Sequence, residues 1–144
     1  MKIKLFYMLF FTILTSNAIA QVKEKYSQKE LQTFLKVYKH SIDKPFDIVK
    51  SMQNNASKIN IPEARFSEIL QAQFAGNTPS LTDIETKEMS KLKMMMEEDE
   101  LVYTENLKKY TIAQGLIYSK YKEIEKQYNS DLKFQRKINK LNQK

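Results

Sequence analysis

The chain has no cysteine, no tryptophan, one histidine, two glycines and three prolines in 144 residues. Without cysteine there are no disulfides, no thiol nucleophile and no cysteine-based zinc site. A single imidazole excludes paired-histidine chemistry and histidine-rich metal sites. Two glycines cannot supply a phosphate-cradling P-loop or a dinucleotide fingerprint, whose tight turns consume several. No cofactor and no catalytic constellation is therefore expected. The length allows one domain.

What is present begins with an export signal. Lys2 and Lys4 precede an apolar run, Leu5 to Leu14, broken only by Thr12, and Ala18-Ile19-Ala20 is an A-x-A cleavage pattern. These three parts in this order make a signal peptide over residues 1–20, cleaved after Ala20. The run is well short of the roughly 20 apolar residues that span a bilayer. No later stretch is apolar enough for a transmembrane segment. No cysteine follows the small residues, which disfavours a lipoprotein. Lysine far outnumbers arginine, which occurs only at Arg65 and Arg136, and Ile and Asn are abundant, pointing to an AT-rich bacterial genome. The expected location is periplasmic or secreted.

The charge is unevenly placed. Residues 21–131 hold 17 basic and 17 acidic side chains, whereas residues 132–144 hold Lys133, Arg136, Lys137, Lys140 and Lys144 and no acid. The whole excess of the mature chain, residues 21–144, sits in its last thirteen residues.

The chain also matches itself at an offset of 55 residues without a gap. Ser27-x-x-Glu30 lands on Thr82-x-x-Glu85, and both read as capping boxes, with Tyr26 and Leu81 as the apolar residues before the cap. Asn60 lands on Gly115, the two residue types most at ease in a left-handed helix stop. Ile61/Leu116, Arg65/Lys120, Phe66/Tyr121, Glu68/Glu123 and Ile69/Ile124 follow in register. Each unit reads as a long helix, a tight stop and a short helix, over about residues 26–75 and 81–128. The first long helix starts at Ser27 with a stripe of Leu31, Leu35, Tyr38, Ile42, Val49, Met52, Ala56 and Ile59, and Pro45 should kink or interrupt it. The short helix that follows begins at Pro62. The second long helix runs from Thr82 to about Gln114 with Met89, Leu92, Met96, Tyr103, Leu107 and Tyr110 inward, and Asp99 falls on that stripe as a polar flaw. A second short helix spans about Ile117 to Tyr128. Asn129-Ser130-Asp131 can then restart a terminal helix within the basic segment 129–144. No stretch alternates with period two, so the expected fold is all-α. It is a helical bundle of two long-helix/short-helix hairpins related by an internal repeat, plus a short terminal helix.

Several of these residues carry a family likeness. Phe34 follows a capping box, and Arg65 to Gln73 reads RFSEILQAQ. Then come Gly115-Leu116, Tyr121-Lys122-Glu123-Ile124, Ser130-Asp131-Leu132 and Arg136-Lys137-Ile138. In order and spacing the chain resembles the bacterial exported family called domain of unknown function 4168, over nearly all of residues 26–141. Asn60 stands where that family's pattern has glycine, and Lys137 separates Arg136 from Ile138. The resemblance implies an envelope location and a helical fold, and it implies no reaction, ligand or catalytic residue.

Candidate chemistry is sparse. Met94-Met95-Met96 before Glu97-Glu98-Asp99-Glu100 combines soft and hard metal donors. Adjacent helical residues point about 100° apart, so three consecutive thioethers cannot converge on one ion. The expected arrangement has Met96 in the core and the acids solvated, with Lys93 at i−4. His40 with Asp43 or Asp47 suggests a base and its orienter, but no nucleophile motif accompanies it. Glu68 and Glu123 form a matched pair that duplicated ion pairs with Arg65 and Lys120 explain. Tyr103, Tyr110, Tyr118, Tyr121 and Tyr128 read as core edges.

The terminal segment is the best candidate for a contact surface. Phe134, Ile138 and Leu141 are spaced as one helical stripe, flanked by Lys133, Arg136, Lys137 and Lys140. Such a helix can lie on anionic lipid or on an acidic partner, or dock its stripe on the bundle. Nucleic acid fits the charge but not export. The sequence thus points to a non-enzymatic binding or structural module of the envelope, acting on a protein partner or an anionic surface, with self-association open. The alternative is a periplasmic stress-type chaperone that holds unfolded clients on Met- and Tyr-bearing faces.

Overall fold

The structure is a computed structural model and describes residues 25–143; the expected signal peptide lies outside them. The described residues form six α-helices and no strand: α1 (Gln28–Asp43), α2 (Ile48–Ala56), α3 (Glu63–Phe74), α4 (Asp83–Ala113), α5 (Tyr118–Ser130) and α6 (Leu132–Asn139). A 3-10 turn over Lys140–Gln143 closes the described chain.

Both units start as their capping boxes dictate. Ser27 Oγ accepts from the Glu30 amide at 3.2 Å, and the Glu30 carboxylate accepts from the Ser27 amide at 2.7 Å. Thr82 and Glu85 repeat the exchange at 3.2 and 2.8 Å. Each box satisfies two of the amides that a helix start leaves without partners.

The stops are less alike. Gly115, at φ 86°, ends α4 with the Leu116 amide donating to the Thr111 carbonyl, and Gly76, at φ 77°, ends α3 with Asn77 donating to Ala72. Both are left-handed stops of the Schellman kind. Asn60 does not share this conformation, because no described non-glycine residue has a positive φ. The first unit turns instead through Lys58 and Ile59 amides donating to the carbonyls of Asn55 and Ala56, and the Asn60 amide donates to Glu88. An external carboxylate replaces the backbone twist that glycine permits.

Pro45 produces a full break rather than a bend. The Lys44 amide closes α1 on His40, and Asp47 caps α2 by accepting from the Lys50 amide at 2.9 Å. The break shifts the inward face. Ile42 and Val49, expected on the seam, are 59% and 54% exposed, while Ser51 and Asn55 are the buried residues of α2. In the second unit α4 runs unbroken for 31 residues, about 46 Å at the usual helical rise.

The two long segments run antiparallel. His40 stacks on Tyr110, Phe46 lies against Tyr103, Ser51 bonds Asp99, and the Lys58 carbonyl accepts from Lys91. This pairing creates two cores, one at each end. The first joins Tyr26, Phe34 and Val37 from the first unit to Leu116, Tyr121 and Ile124 from the second. The other joins Leu81, Met89 and Leu92 from the second unit to Ile61, Phe66 and Ile69 from the first. At the offset of 55 these sets are counterparts. Each core therefore takes the start of one unit and the end of the other, so the units interlock. At the middle, Asp99 faces α2 and the Pro45 break lies beside Tyr103, giving the polar waist.

Candidate functional site

The basic terminal segment starts at a cap. Asp131 ends α5 and accepts from the amides of Lys133 and Phe134 at 2.9 and 3.1 Å, so α6 starts with no intervening loop. The Tyr128 hydroxyl donates to Asn139 Oδ1 at 2.8 Å and ties the end of α6 to the last turn of α5. Ile138 is fully buried in the first core, and Phe134 and Leu141 pack against it half-buried. Phe134 meets Tyr26 with ring centroids 5.8 Å apart.

The apolar stripe of α6 is therefore spent on the bundle. Its other side carries Lys133, Arg136, Lys137 and Lys140, all exposed. Lys133, Arg136 and Lys140 pair with no carboxylate among the described residues. Of the seven residues singled out by sequence, these four cations face outward and the three apolar ones anchor them. Arg136 and Lys137 also occupy the last turn of α6, where the helix dipole favours positive charge.

Tyr26 is the anchor that sequence reasoning passed over as a mere staple. Its ring packs on Phe134, with the ammonium groups of Lys25 and Lys120 at 5.3 and 5.4 Å from its centroid. Its hydroxyl donates to Glu123 and Gln127 at 3.3 and 3.2 Å. Lys120 and Lys25 both reach Glu123 at 2.8 Å, and these two partners hold its carboxyl down to about 2. These groups stiffen the seat of α6 while adding little net charge to it.

The other candidates resolve into structure. Met95 and Met96 join the second core while Met94 is 62% exposed, so the three thioethers do diverge. Lys93 pairs with Glu97 at 3.7 Å. No group of three or more His, Asp or Glu side chains that could hold a metal ion occurs among the described residues. His40 is half-buried with its ring 4.0 Å from Tyr110, and Asp47 is engaged as the α2 cap. Arg65–Glu68 at 3.2 Å and Lys120–Glu123 at 2.8 Å are the duplicated ion pairs. Arg65 also reaches Glu85 of the other unit's capping box at 2.7 Å. Tyr121 is fully buried, which raises its hydroxyl pKa, and it donates to Glu125 at 2.9 Å.

No family model, curated protein or solved structure matches this chain. Among the described residues no helix is long and apolar enough to cross a membrane.

Proposed function

We propose that this chain is a non-enzymatic binding module of the bacterial envelope that attaches to an anionic surface or an acidic protein through the outward side of α6. The supporting observation is the docking of α6: Ile138 is buried, so the helix is held as part of the bundle, and its four cations face solvent together. A cationic side chain near an anionic surface contributes on the order of 1 kcal/mol, so Lys133, Arg136 and Lys140 act together without insertion of the apolar stripe. Export by the signal peptide over residues 1–20, and membership of the family called domain of unknown function 4168, belong to the same proposal. Their support is the n-region, apolar run and A-x-A order, and the order of capping boxes, stop and Asp-capped ending.

The test is co-sedimentation with vesicles containing phosphatidylglycerol against vesicles of phosphatidylcholine alone, at rising salt. Binding to the anionic vesicles only, falling steeply with ionic strength, is the expected result. Equal binding to both, or none to the anionic ones, removes the lipid surface and leaves an acidic protein as the partner to seek by crosslinking in cells.

A second reading, a chaperone that holds unfolded clients, draws on a groove of about 300 Å³ lined by Met52, Met89 and Met96. Thioether side chains adapt to varied apolar surfaces. Suppression of aggregation at near-stoichiometric ratio would favour it.

A further inference from the structure

The internal repeat shows what is missing from one end of the bundle. Between α2 and α3 lies an open groove of about 550 Å³ lined by Met52, Ile59, Ile61, Glu63, Phe66 and Leu70, among others. It is continuous, through Met52 and Leu70, with the methionine-lined groove beside it. At the offset of 55 the counterparts of Met52, Glu63 and Phe66 are Leu107, Tyr118 and Tyr121. In that second half the place is filled, because Tyr118 stacks on Tyr121 with centroids 5.9 Å apart and packs into the first core alongside Leu107. In the first half Glu63 supplies no ring, and Phe66 is left at the floor of a groove. The consequence is visible in packing: α5 buries three residues and α3 only Ile69.

The groove lacks a ring, and one ring lacks a pocket. Phe74 is 82% exposed, and of the twelve described Phe and Tyr residues it alone is exposed. It cannot fill the groove of its own chain, since it stands two turns along the same helix from Phe66. Phe66, Leu70 and Phe74 are spaced by four and form one stripe on α3. If two copies of α3 cross antiparallel about a twofold axis at Leu70, the Phe74 of each copy meets the Phe66 of the other. The register is self-complementary, as an isologous interface requires. Ile48, 60% exposed at the start of α2, lines the adjoining groove together with Gln73, the neighbour of Phe74.

We infer that the chain forms a twofold dimer through the α2–α3 face, in which Phe74 of each copy enters the groove of the other and takes the place that Tyr118 takes within the chain. The occupant of the groove is a second copy. This inference is independent of the basic-end reading. Because α6 packs in the opposite core, the dimer carries two basic ends, which under the proposed function would meet a charged surface with doubled valency.

Sedimentation equilibrium of the protein isolated from cells gives the test, with two variants that act differently. Phe74→Ser removes the ring from an exposed position. Glu63→Tyr closes the groove from within, as its counterpart does. Each is expected to raise the dimer dissociation constant by roughly tenfold or more, the effect of losing an interface hot spot. Glu63→Tyr should also raise the melting temperature of the monomer, which a folding defect would not do. Ile84→Ser, on another exposed position, should leave the dimer unchanged. Since the chain has no cysteine, Leu70→Cys should give a covalent dimer on oxidation. A protein that stays monomeric up to about 1 mM, the weak limit of specific association, overturns the inference. So does a dimer that withstands both variants, or a monomer whose groove takes unfolded clients. None of these three results touches the vesicle experiment, so the two readings fail separately.

Discussion

Asn55 is only 2% exposed, yet its side-chain amide donates to Asp99 at 2.8 Å and to the Ser51 carbonyl at 3.0 Å. Its carbonyl accepts from Lys58 at 2.7 Å, and Ser51 donates to the same Asp99 oxygen at 2.6 Å. Those two donors hold the Asp99 carboxyl below its usual range. The polar waist is thus fully partnered, and it fixes the register of α2 on α4 where apolar packing is thin. Asn55→Ala should cost about 1–3 kcal/mol by stranding these groups, read by chemical denaturation. At the two ends, Arg65 and Lys120 hold Glu85 and Glu123 down to about 2 from the ordinary 4.5. A carboxylate whose pKa is lowered by folding stabilises the fold fully above its unfolded pKa and loses that contribution as pH falls through its folded pKa. The melting temperature should therefore hold from neutral pH to about 4.5 and fall between there and about 2. Glu85→Gln should lower the neutral-pH value and flatten the fall. A melting temperature that rises on acidification would contradict this assignment.

Among the elements, the helix starts and the Gly115 stop were legible because their causes are local. A hydroxyl, a carboxylate three residues on and an apolar residue before the cap make the same start at Ser27 and Thr82 wherever the helix goes. Gly115 and Gly76 both sit at positive φ with open space where a side chain would begin, so the need for glycine there is purely conformational. Gly115→Ala should cost about 1–2 kcal/mol, the left-handed penalty of an L-residue, without a clash. Calorimetry of the variant checks it. Asn60 misled because its side chain tolerates a left-handed stop without demanding one, and Glu88, 28 residues away, offered its amide a different partner. The inward face of α2 was not legible either. Proline announces a break, but the four residues from Lys44 to Asp47 set how far the helix turns before it resumes, and no periodicity carries across them. The stripe of α6 was plain, whereas its destination depended on Tyr26, more than a hundred residues earlier.

For the molecule as a whole, the repeat was visible but its interlocking was not. Two matching start patterns look the same whether each unit closes on itself or on the other. Ion pairs between the units decide it in space, since Arg65 of one short helix reaches the capping box of the other unit and Lys25 of the first unit reaches Glu123 of the second. Because each core draws on both units, residues 25–80 alone should show little helix by circular dichroism, and adding residues 81–143 should restore it. Helical folding of either piece alone would contradict the interlocked description. The same arrangement explains the two unlike ends. One core is completed by Tyr118 and by α6, which displays the cations, while the other is left with a groove. The central functional claim, attachment through the outward cations of α6, is tested most directly by Lys133→Glu, Arg136→Glu and Lys140→Glu combined. Binding of this variant to anionic vesicles would be measured beside its circular dichroism. The account predicts an unchanged helical spectrum with binding lost. Binding as strong as that of the unaltered chain, with the fold intact, would contradict it.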